Sequence, residues 1–194
     1  MLPDIREATP ADIDAAVATL QAAFIDYPLT RHTLPDDGHP ERLAEFQRLL
    51  LTDIGLPHGR IWVSSDHSAV AMWTTPATDA AAFAALGPRL GELAGDRAAA
   101  ASAVEQVLAP HRPATPTWFL STVGVHPASQ GRGLGRAVIE PGLRAADAEN
   151  ATAYLETALE SNVRRYERFG FTVTAEVALP DNGPTAWTMH RPPQ

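Results

Sequence analysis

Three glycines at alternate positions, Gly131, Gly133 and Gly135, follow a run of strand-forming residues that ends at Pro127. An apolar pattern of helical period begins directly after them. A strand, a glycine turn and a helix start together direct free backbone N–H groups, and the positive end of the helix dipole, to one point. Glycine lets a ligand approach the backbone because no Cβ stands in the way. The stretch therefore predicts a phosphate-binding loop.

Two common phosphate-binding motifs do not fit this loop. A Walker loop needs a lysine followed by serine or threonine, and all 15 basic residues of the chain are arginine. The dinucleotide motif spaces its glycines as G-x-G-x-x-G, whereas these glycines recur at every second residue. The order in this chain is Val125-His126-Pro127, a short spacer, and then the run from Gln130 to Gly135.

That order, V-x-P followed by Q/R-x-x-G-x-G/A, resembles the acetyl-CoA loop of the GCN5-related N-acetyltransferase (GNAT) family. The resemblance implies that acetyl-CoA is a co-substrate and that its pyrophosphate binds the N–H groups of the loop. The residues expected to contact acetyl-CoA lie on the strand end, the loop and a later helix: Val123, Gly124, Val125, Gln130, Gly131, Arg132, Gly133, Leu134, Gly135, Arg136 and Asn162.

A second matching element ends at Gly170-Phe171. In the family, a helix that ends in Y-x-x-x-G-F places a tyrosine beside the thioester, and here that residue is Tyr166. The resemblance implies that Tyr166 is the general acid that protonates the departing thiolate, a role that suits a pKa of about 10. The alternative is a core tyrosine that anchors the helix. Many members carry an asparagine where this chain has Leu159. Asn162 lies one turn before Tyr166 and is expected to contact the cofactor; the alternative is that it belongs to the N-terminal cap of the helix.

The reaction also needs a general base, because an ammonium group cannot attack a thioester. Glu156 matches a position at which some relatives carry a glutamate base; the alternative is a strand-end glutamate that faces solvent. His32 and Asp26 are further candidates. The chain has no cysteine, and no serine lies beside a recognisable triad, so direct transfer in a ternary complex is favoured over an acyl-enzyme. The histidines lack metal-ligand spacing, so no metal site is expected.

Further segments extend the resemblance over nearly the whole chain, to the puromycin N-acetyltransferase group of the family. They are Ala22–Leu34, Arg60–Pro76, Leu108–Pro113, Tyr154–Thr157 and Tyr166–Val177. This resemblance implies acetylation of the α-amine of an aromatic antibiotic. The alternatives are a GNAT enzyme for another small-molecule amine and a non-catalytic acetyl-CoA-binding module.

An aromatic amine needs a cleft with aromatic faces and a few polar anchors. The side chains suggested for the acceptor are the anchors Asp26, Tyr27, Arg31 and His32 and the stacking faces Trp73 and Trp118. Alternatively, both tryptophans belong to the core and Arg31 pairs with a nearby acid.

Composition limits the remaining possibilities. A length of 194 residues with 45% hydrophobic content predicts one globular domain over residues 1–194. A net charge of −8 disfavours a nucleic-acid-binding surface, which would be basic. Neither a secretory leader nor an apolar run long enough to span a membrane is visible, so a cytoplasmic protein without membrane contact is expected. Both a monomer and a homodimer remain open.

The periodicity and the turn residues predict a mixed α/β fold. Strands are predicted at Asp4–Ala8, Arg60–Ser65, Ala69–Thr75, 118–125, Thr152–Thr157, Phe171–Val177 and Thr185–His190. Helices are predicted at 10–24, Pro40–Ile54, twice within 77–108 with breaks near Gly87-Pro88 and Gly95, at Gly133–Glu149 with a kink at Pro141-Gly142, and at Ser161–Phe169 capped by Ser161. Residues 26–39 are predicted to form a loop. This order is similar to the GNAT fold, a mixed and mostly antiparallel sheet with two splayed parallel strands and flanking helices.

Overall fold

Seven strands form the central sheet of the computed structural model, which describes residues 3–194; residues 1 and 2 of the predicted domain lie outside this range. The strands are β1 (Ile5–Glu7), β2 (Gly59–Ser64), β3 (Ala69–Thr74), β4 (Trp118–Val125), β5 (Ala153–Thr157), β6 (Thr172–Ala178) and β7 (Thr185–Arg191). Their order across the sheet is β1-β2-β3-β4-β5-β7-β6, and β4–β5 is its parallel pair. The predicted mixed, mostly antiparallel sheet is confirmed.

Helices cover both faces of this sheet. They are α1 (Ile13–Phe24), α2 (Pro28–Thr33), α3 (His39–Leu49), α4 (Leu56–His58), α5 (Ala80–Ala94), α6 (Ala98–Leu108), α7 (Leu134–Ala148) and α8 (Glu160–Glu167), with a π-helical segment at Leu50–Gly55. Helices α7 and α8 share one core cluster with Trp73, Trp118 and Leu155. Helices α1 and α3 share a second cluster with Val63 and Met72 on the other face. Each face of the sheet is therefore closed by a separate apolar layer.

Three local predictions are wrong. Residues 26–39 contain α2, which begins at Pro28 and is tied to the end of α1 because the Thr30 hydroxyl donates to the Phe24 carbonyl at 2.9 Å. Helix α5 runs through Gly87-Pro88 without a break, and the chain turns at Gly95, whose φ of +50° favours glycine. Ser161 does not cap α8, because that helix already begins at Glu160.

The two parallel strands separate soon after they meet. Only Trp118 with Ala153 and Phe119 with Tyr154 are in register between β4 and β5. The register between β3 and β4 shifts where Ser121 is inserted, which is a β-bulge. The splay of β4 from β5 opens a gap in the sheet.

Helix α7 continues through Pro141. The next residue, Gly142, lies against Trp73, because a Cβ at this position would be 2.3 Å from the indole Nε1.

Two kinds of feature are absent from residues 3–194. No helix there combines the length and the apolar character needed to cross a membrane. No group of three or more His, Asp or Glu side chains there has the geometry to hold a metal ion.

Candidate active site

A cleft of about 730 Å³ lies at the end of β4 and extends along the start of α7 and one side of α8. Its volume is within the range of small-molecule sites. The cleft brings together most of the residues predicted from the sequence: Tyr27, Val123, Gly124, Val125, Gln130, Gly131, Gly133, Leu134, Gly135, Arg136, Asn162 and Tyr166. Arg132 belongs to the same loop but does not line the cleft.

The glycine loop has the geometry of an anion site. Gly131 and Gly133 have φ values of +76° and +85°, in the left-handed region that favours glycine. Within residues 3–194, the backbone N–H groups of residues 131–136 have no hydrogen-bond partner, and the first helical bond of α7 runs from Ala137 to Gly133. The Gln130 side chain donates to the Val125 carbonyl at 3.2 Å and holds the loop to the strand end. A row of free donors therefore faces the cleft at the positive end of α7.

Tyr166 belongs to both the core and the cleft. Its side chain packs edge-on against Phe171, with ring centroids 6.1 Å apart, and the residue is 9% exposed. Burial raises its pKa above the usual value of a tyrosine, and no hydrogen bond within residues 3–194 engages its hydroxyl. The O–H is therefore protonated at neutral pH and free to donate into the cleft.

Tyr27 closes the cleft on the side of β5. Its hydroxyl accepts a hydrogen bond from the Ala158 N–H at 2.6 Å and lies 3.3 Å from Thr157 Oγ1. Burial raises the pKa of Tyr27. Asn162 donates to Thr157 Oγ1 at 3.3 Å and accepts from Arg165 at 3.0 Å. These bonds fasten the turn between α1 and α2, the end of β5 and α8 to one another.

Glu156 does not line the cleft, and it does not face open solvent either: its side chain is 14% exposed. Its Oε1 accepts from Arg112 Nε at 2.8 Å and from the Tyr154 hydroxyl at 2.6 Å. Arg112 also donates to both carboxylate oxygens of Glu105 on α6. Burial alone would lower the pKa of Arg112, but the hydrogen bonds that it donates to Glu156 and Glu105 outweigh burial and raise the pKa. We name these four residues the Arg112 network.

Most of the residues predicted to bind the acceptor lie elsewhere. Trp73 and Trp118 are 0% and 1% exposed, so they are core residues and the prediction that they offer stacking faces is wrong. Asp26, Arg31 and His32 lie outside the cleft lining. Asp26 is 86% exposed and 3.7 Å from Arg31, so the expected pairing of Arg31 with an acid is present.

The cleft also contains side chains that the sequence analysis missed. They are mainly apolar or basic: Ala23, Phe24, Ser129, Ile139, Leu159, Ser161, Arg165, Arg168 and Phe169. Phe24 packs edge-on against the ring of Tyr27 at 5.1 Å, so the cleft has aromatic faces, although not the predicted ones. The helical period could have indicated Arg165 and Arg168, because they follow Ser161 at spacings of four and three residues and so lie on one face of α8 and its C-terminal end.

Residues 98–171, which include β4, the glycine loop, α7, β5 and α8, match the model of the acetyltransferase (GNAT) family. A crystal structure from Corynebacterium glutamicum, described as histone acetyltransferase HPA2 and related acetyltransferase, superposes with a TM-score of 0.79 at 26% identity over 100% of this chain and 98% of that one. This chain is therefore similar to the GNAT acetyltransferases in sequence over residues 98–171, and to an acetyltransferase structure in fold over its whole length.

Two further acetyltransferases are similar to this chain over different lengths. An uncharacterized N-acetyltransferase of Schizosaccharomyces pombe is 38% identical over 63 residues, which are 32% of this chain and 26% of that protein. The polyamine N-acetyltransferase of Drosophila melanogaster, which forms N-acetylagmatine, superposes with a TM-score of 0.69 at 16% identity over 97% and 99% of the two chains. GNAT enzymes use acetyl-CoA as acetyl donor, and the free N–H groups of the loop suit its phosphates.

Proposed function

We propose that this protein is a GNAT acetyltransferase that transfers the acetyl group of acetyl-CoA to the α-amine of puromycin or of a similar aromatic amine antibiotic, by direct transfer in a ternary complex. The observation that carries the proposed reaction is the cleft itself. It has free backbone donors for phosphate at residues 131–136 and a free phenolic donor at Tyr166. The choice of puromycin depends on the resemblance of segments along the chain to the puromycin N-acetyltransferase group. A cytoplasmic location is part of the proposal, because acetyl-CoA is an intracellular metabolite.

In this proposal the glycine loop binds the pyrophosphate of acetyl-CoA, and the gap between β4 and β5 takes the pantetheine arm. The free N–H groups of the loop replace the water that solvates the phosphates, and the dipole of α7 adds favourable electrostatic energy. Asn162 lines the same cleft and is held between Thr157 and Arg165. It therefore fits a contact with the arm better than the helix-cap role.

Tyr166 acts as the general acid. When the amine attacks the thioester carbonyl and the carbon–sulfur bond breaks, the phenolic proton passes to the departing thiolate sulfur. A raised pKa keeps this proton in place at neutral pH until the thiolate forms.

Glu156 is the proposed general base. It takes a proton from the acceptor ammonium, so that the free amine can attack, and it does so through a water because its side chain does not line the cleft. Arg112 and Tyr154 hold its carboxylate in place. His32 and Asp26 stay the alternative bases.

A second candidate is acetylation of a different small-molecule amine. The burial of Trp73 and Trp118 favours this candidate, because the aromatic faces predicted for a nucleoside antibiotic are not available to a ligand. The aromatic side chains that do line the cleft are those of Phe24, Tyr27, Tyr166 and Phe169.

The test is an assay of purified protein with acetyl-CoA and puromycin, in which thiol release is followed and mass spectrometry locates the acetyl group. We expect a kcat/KM of about 10⁴ M⁻¹s⁻¹ or more and acetylation of the α-amine. A value below about 10² M⁻¹s⁻¹ would exclude puromycin as the native acceptor. A panel of polyamines, arylalkylamines and other amine antibiotics would then identify the acceptor class. Binding of acetyl-CoA without transfer to any amine would leave a non-catalytic module.

A further inference from the structure

Most arginines of this acidic chain have a carboxylate partner. Ten of the 15 lie within 4.0 Å of an Asp or Glu oxygen. Within residues 3–194 the others have none: Arg42, Arg97, Arg132, Arg165 and Arg168. Arg42 instead donates to backbone carbonyls. Arg132 lies in the glycine loop, and Arg165 and Arg168 line the cleft. Three unneutralised guanidinium groups therefore lie at or beside the cofactor cleft of a protein whose net charge is −8.

A second groove of about 400 Å³ adjoins the cleft along α8. It is lined by Glu160, Ser161, Arg164, Arg165 and Arg168, and it shares Ser161 and the last two arginines with the cleft. The two concavities are therefore continuous.

The charges in this groove favour an anion. Three guanidinium groups face one carboxylate, that of Glu160, which lies 3.7 Å from Arg164. Arg165 is held in place by its 3.0 Å hydrogen bond to Asn162 Oδ1, so one of the donors is already positioned. Guanidinium groups bind phosphate oxygens through paired N–H donors, which is the strongest recognition that arginine makes.

We propose that this groove, the α8 arginine groove, is a phosphomonoester site that binds the 3′-phosphate of coenzyme A. The proposal rests on the proposed function in one respect, namely that acetyl-CoA occupies the cleft. Coenzyme A carries two phosphate groups, the pyrophosphate that links the pantetheine arm to the ribose and the 3′-phosphate on that ribose. With the pyrophosphate on the glycine loop, the 3′-phosphate is the remaining anionic group. The α8 arginine groove, in which Arg165 and Arg168 have no carboxylate partner within residues 3–194, continues from the cleft. Arg165 and Arg168 then set the preference for coenzyme A over its dephosphorylated form.

The test is calorimetry with coenzyme A and with dephospho-coenzyme A, which differ only in the 3′-phosphate. We expect the wild-type protein to bind coenzyme A about tenfold more tightly or better, the scale of hydrogen bonds to a charged group partly screened by solvent. The double variant Arg165→Gln/Arg168→Gln should bind the two ligands equally. Arg144→Gln is the matched control, because Arg144 is an exposed arginine on α7 that lines neither the cleft nor the groove, and it should keep the wild-type ratio.

Equal affinity of the wild-type protein for the two ligands would overturn the proposal without any variant, and so would an unchanged ratio in the double variant. Titration with inorganic phosphate separates the two sources of the same chemistry. If phosphate lowers the affinity for coenzyme A but not the affinity for dephospho-coenzyme A, the result supports the site. If the protein binds phosphate but has equal affinity for the two ligands, the groove is a free-phosphate site and the assignment is contradicted. A retained ratio without acetyl transfer would contradict the proposed function alone.

Discussion

The glycine loop and the Arg112 network differ in whether their polar groups already have hydrogen-bond partners. In the loop, the backbone N–H groups of residues 131–136 have no partner within the described chain. In the network, Glu105, Arg112, Tyr154 and Glu156 bond to one another. A ligand that enters the loop supplies acceptors to donors that lack them, whereas a ligand that enters the network has to displace an existing bond. The loop therefore offers free donors to a ligand, whereas the hydrogen bonds of the network hold Glu156 in position.

The largest effect should come from blocking the loop. A Cβ at Gly135 would meet only Val125 Cγ2, at an ordinary 3.5 Å, so a side chain is tolerated by the fold but projects where the phosphates approach. We expect Gly135→Val to weaken coenzyme A binding about 100-fold or more in calorimetry, because several charge-assisted hydrogen bonds are lost together.

Gly91→Val is the control, since Gly91 lies on an exposed part of α5 with nothing within 4 Å of an added Cβ. Wild-type affinity in Gly135→Val would contradict the phosphate assignment.

Removal of the phenolic donor should have the next largest effect. We expect Tyr166→Phe to keep the affinity for coenzyme A while kcat falls about 100-fold or more, the usual loss for one general acid. The melting temperature should change little, because the hydroxyl makes no hydrogen bond within residues 3–194. Steady-state kinetics and calorimetry on the same preparation measure both quantities. If kcat stays within about threefold of the wild-type value, Tyr166 has a structural role and is not the general acid.

Within the Arg112 network, Glu156→Gln should lower kcat about tenfold or more and flatten the acidic limb of the pH–rate profile, because the group that accepts the proton can no longer titrate. Glu105→Gln is the matched comparison. It removes the other partner of Arg112 but leaves the bond between Arg112 and Glu156, so the acidic limb should persist. If the profile of Glu156→Gln matches that of wild type, the base is a loop residue or water.

The cluster of Arg6, Asp12 and His67 lies outside the cleft, so a change in it should affect stability but not ligand binding. Hydrogen bonds from Arg6 and then His67 hold the pKa of Asp12 well below its usual range. A carboxyl whose pKa is lower in the folded state stabilises the fold above its unfolded pKa of about 4, and that contribution fades as the pH falls further. Asp12→Asn should lower the melting temperature at pH 7 by roughly 3–10 °C. The difference in melting temperature between the variant and the wild-type protein should become smaller as the pH falls toward 2.

Calorimetric melting from pH 7 to pH 2 measures this difference, and coenzyme A binding at pH 7 should remain at the wild-type value. A pH-independent difference in melting temperature would contradict the linkage to Asp12.

More of the residues predicted for the cofactor than of those predicted for the acceptor line the cleft. The strand end, the glycine loop and the start of α7 form one continuous stretch, so spacing alone indicates which backbone groups converge. The Arg112 network joins α6, the segment before β4, and β5. No local pattern shows that Arg112 and Glu105 reach Glu156, because that contact depends on how the helices pack on the sheet.

The tryptophan error has a related cause. An indole serves equally well as a core side chain and as a stacking face, and only the position of the strand decides between them. On β3 and β4, Trp73 and Trp118 point to the face that α7 covers, where Gly142 leaves room for the first of them. The same ambiguity explains α2: proline and threonine indicate a loop from composition, but Pro28 at the first helical position and the Thr30 bonds form a short helix.

The packing of the tryptophans also determines what an optical probe would report. Three of the four indoles form one buried group, with ring centroids 6.4 Å apart for Trp62 and Trp118 and 6.3 Å apart for Trp73 and Trp118. None of the three lines the cleft. Their intrinsic fluorescence should therefore be blue-shifted in the native state and move to longer wavelength on denaturation, while saturation with coenzyme A leaves the emission of this group nearly unchanged. Emission spectroscopy would thus follow unfolding of the core independently of cofactor occupancy.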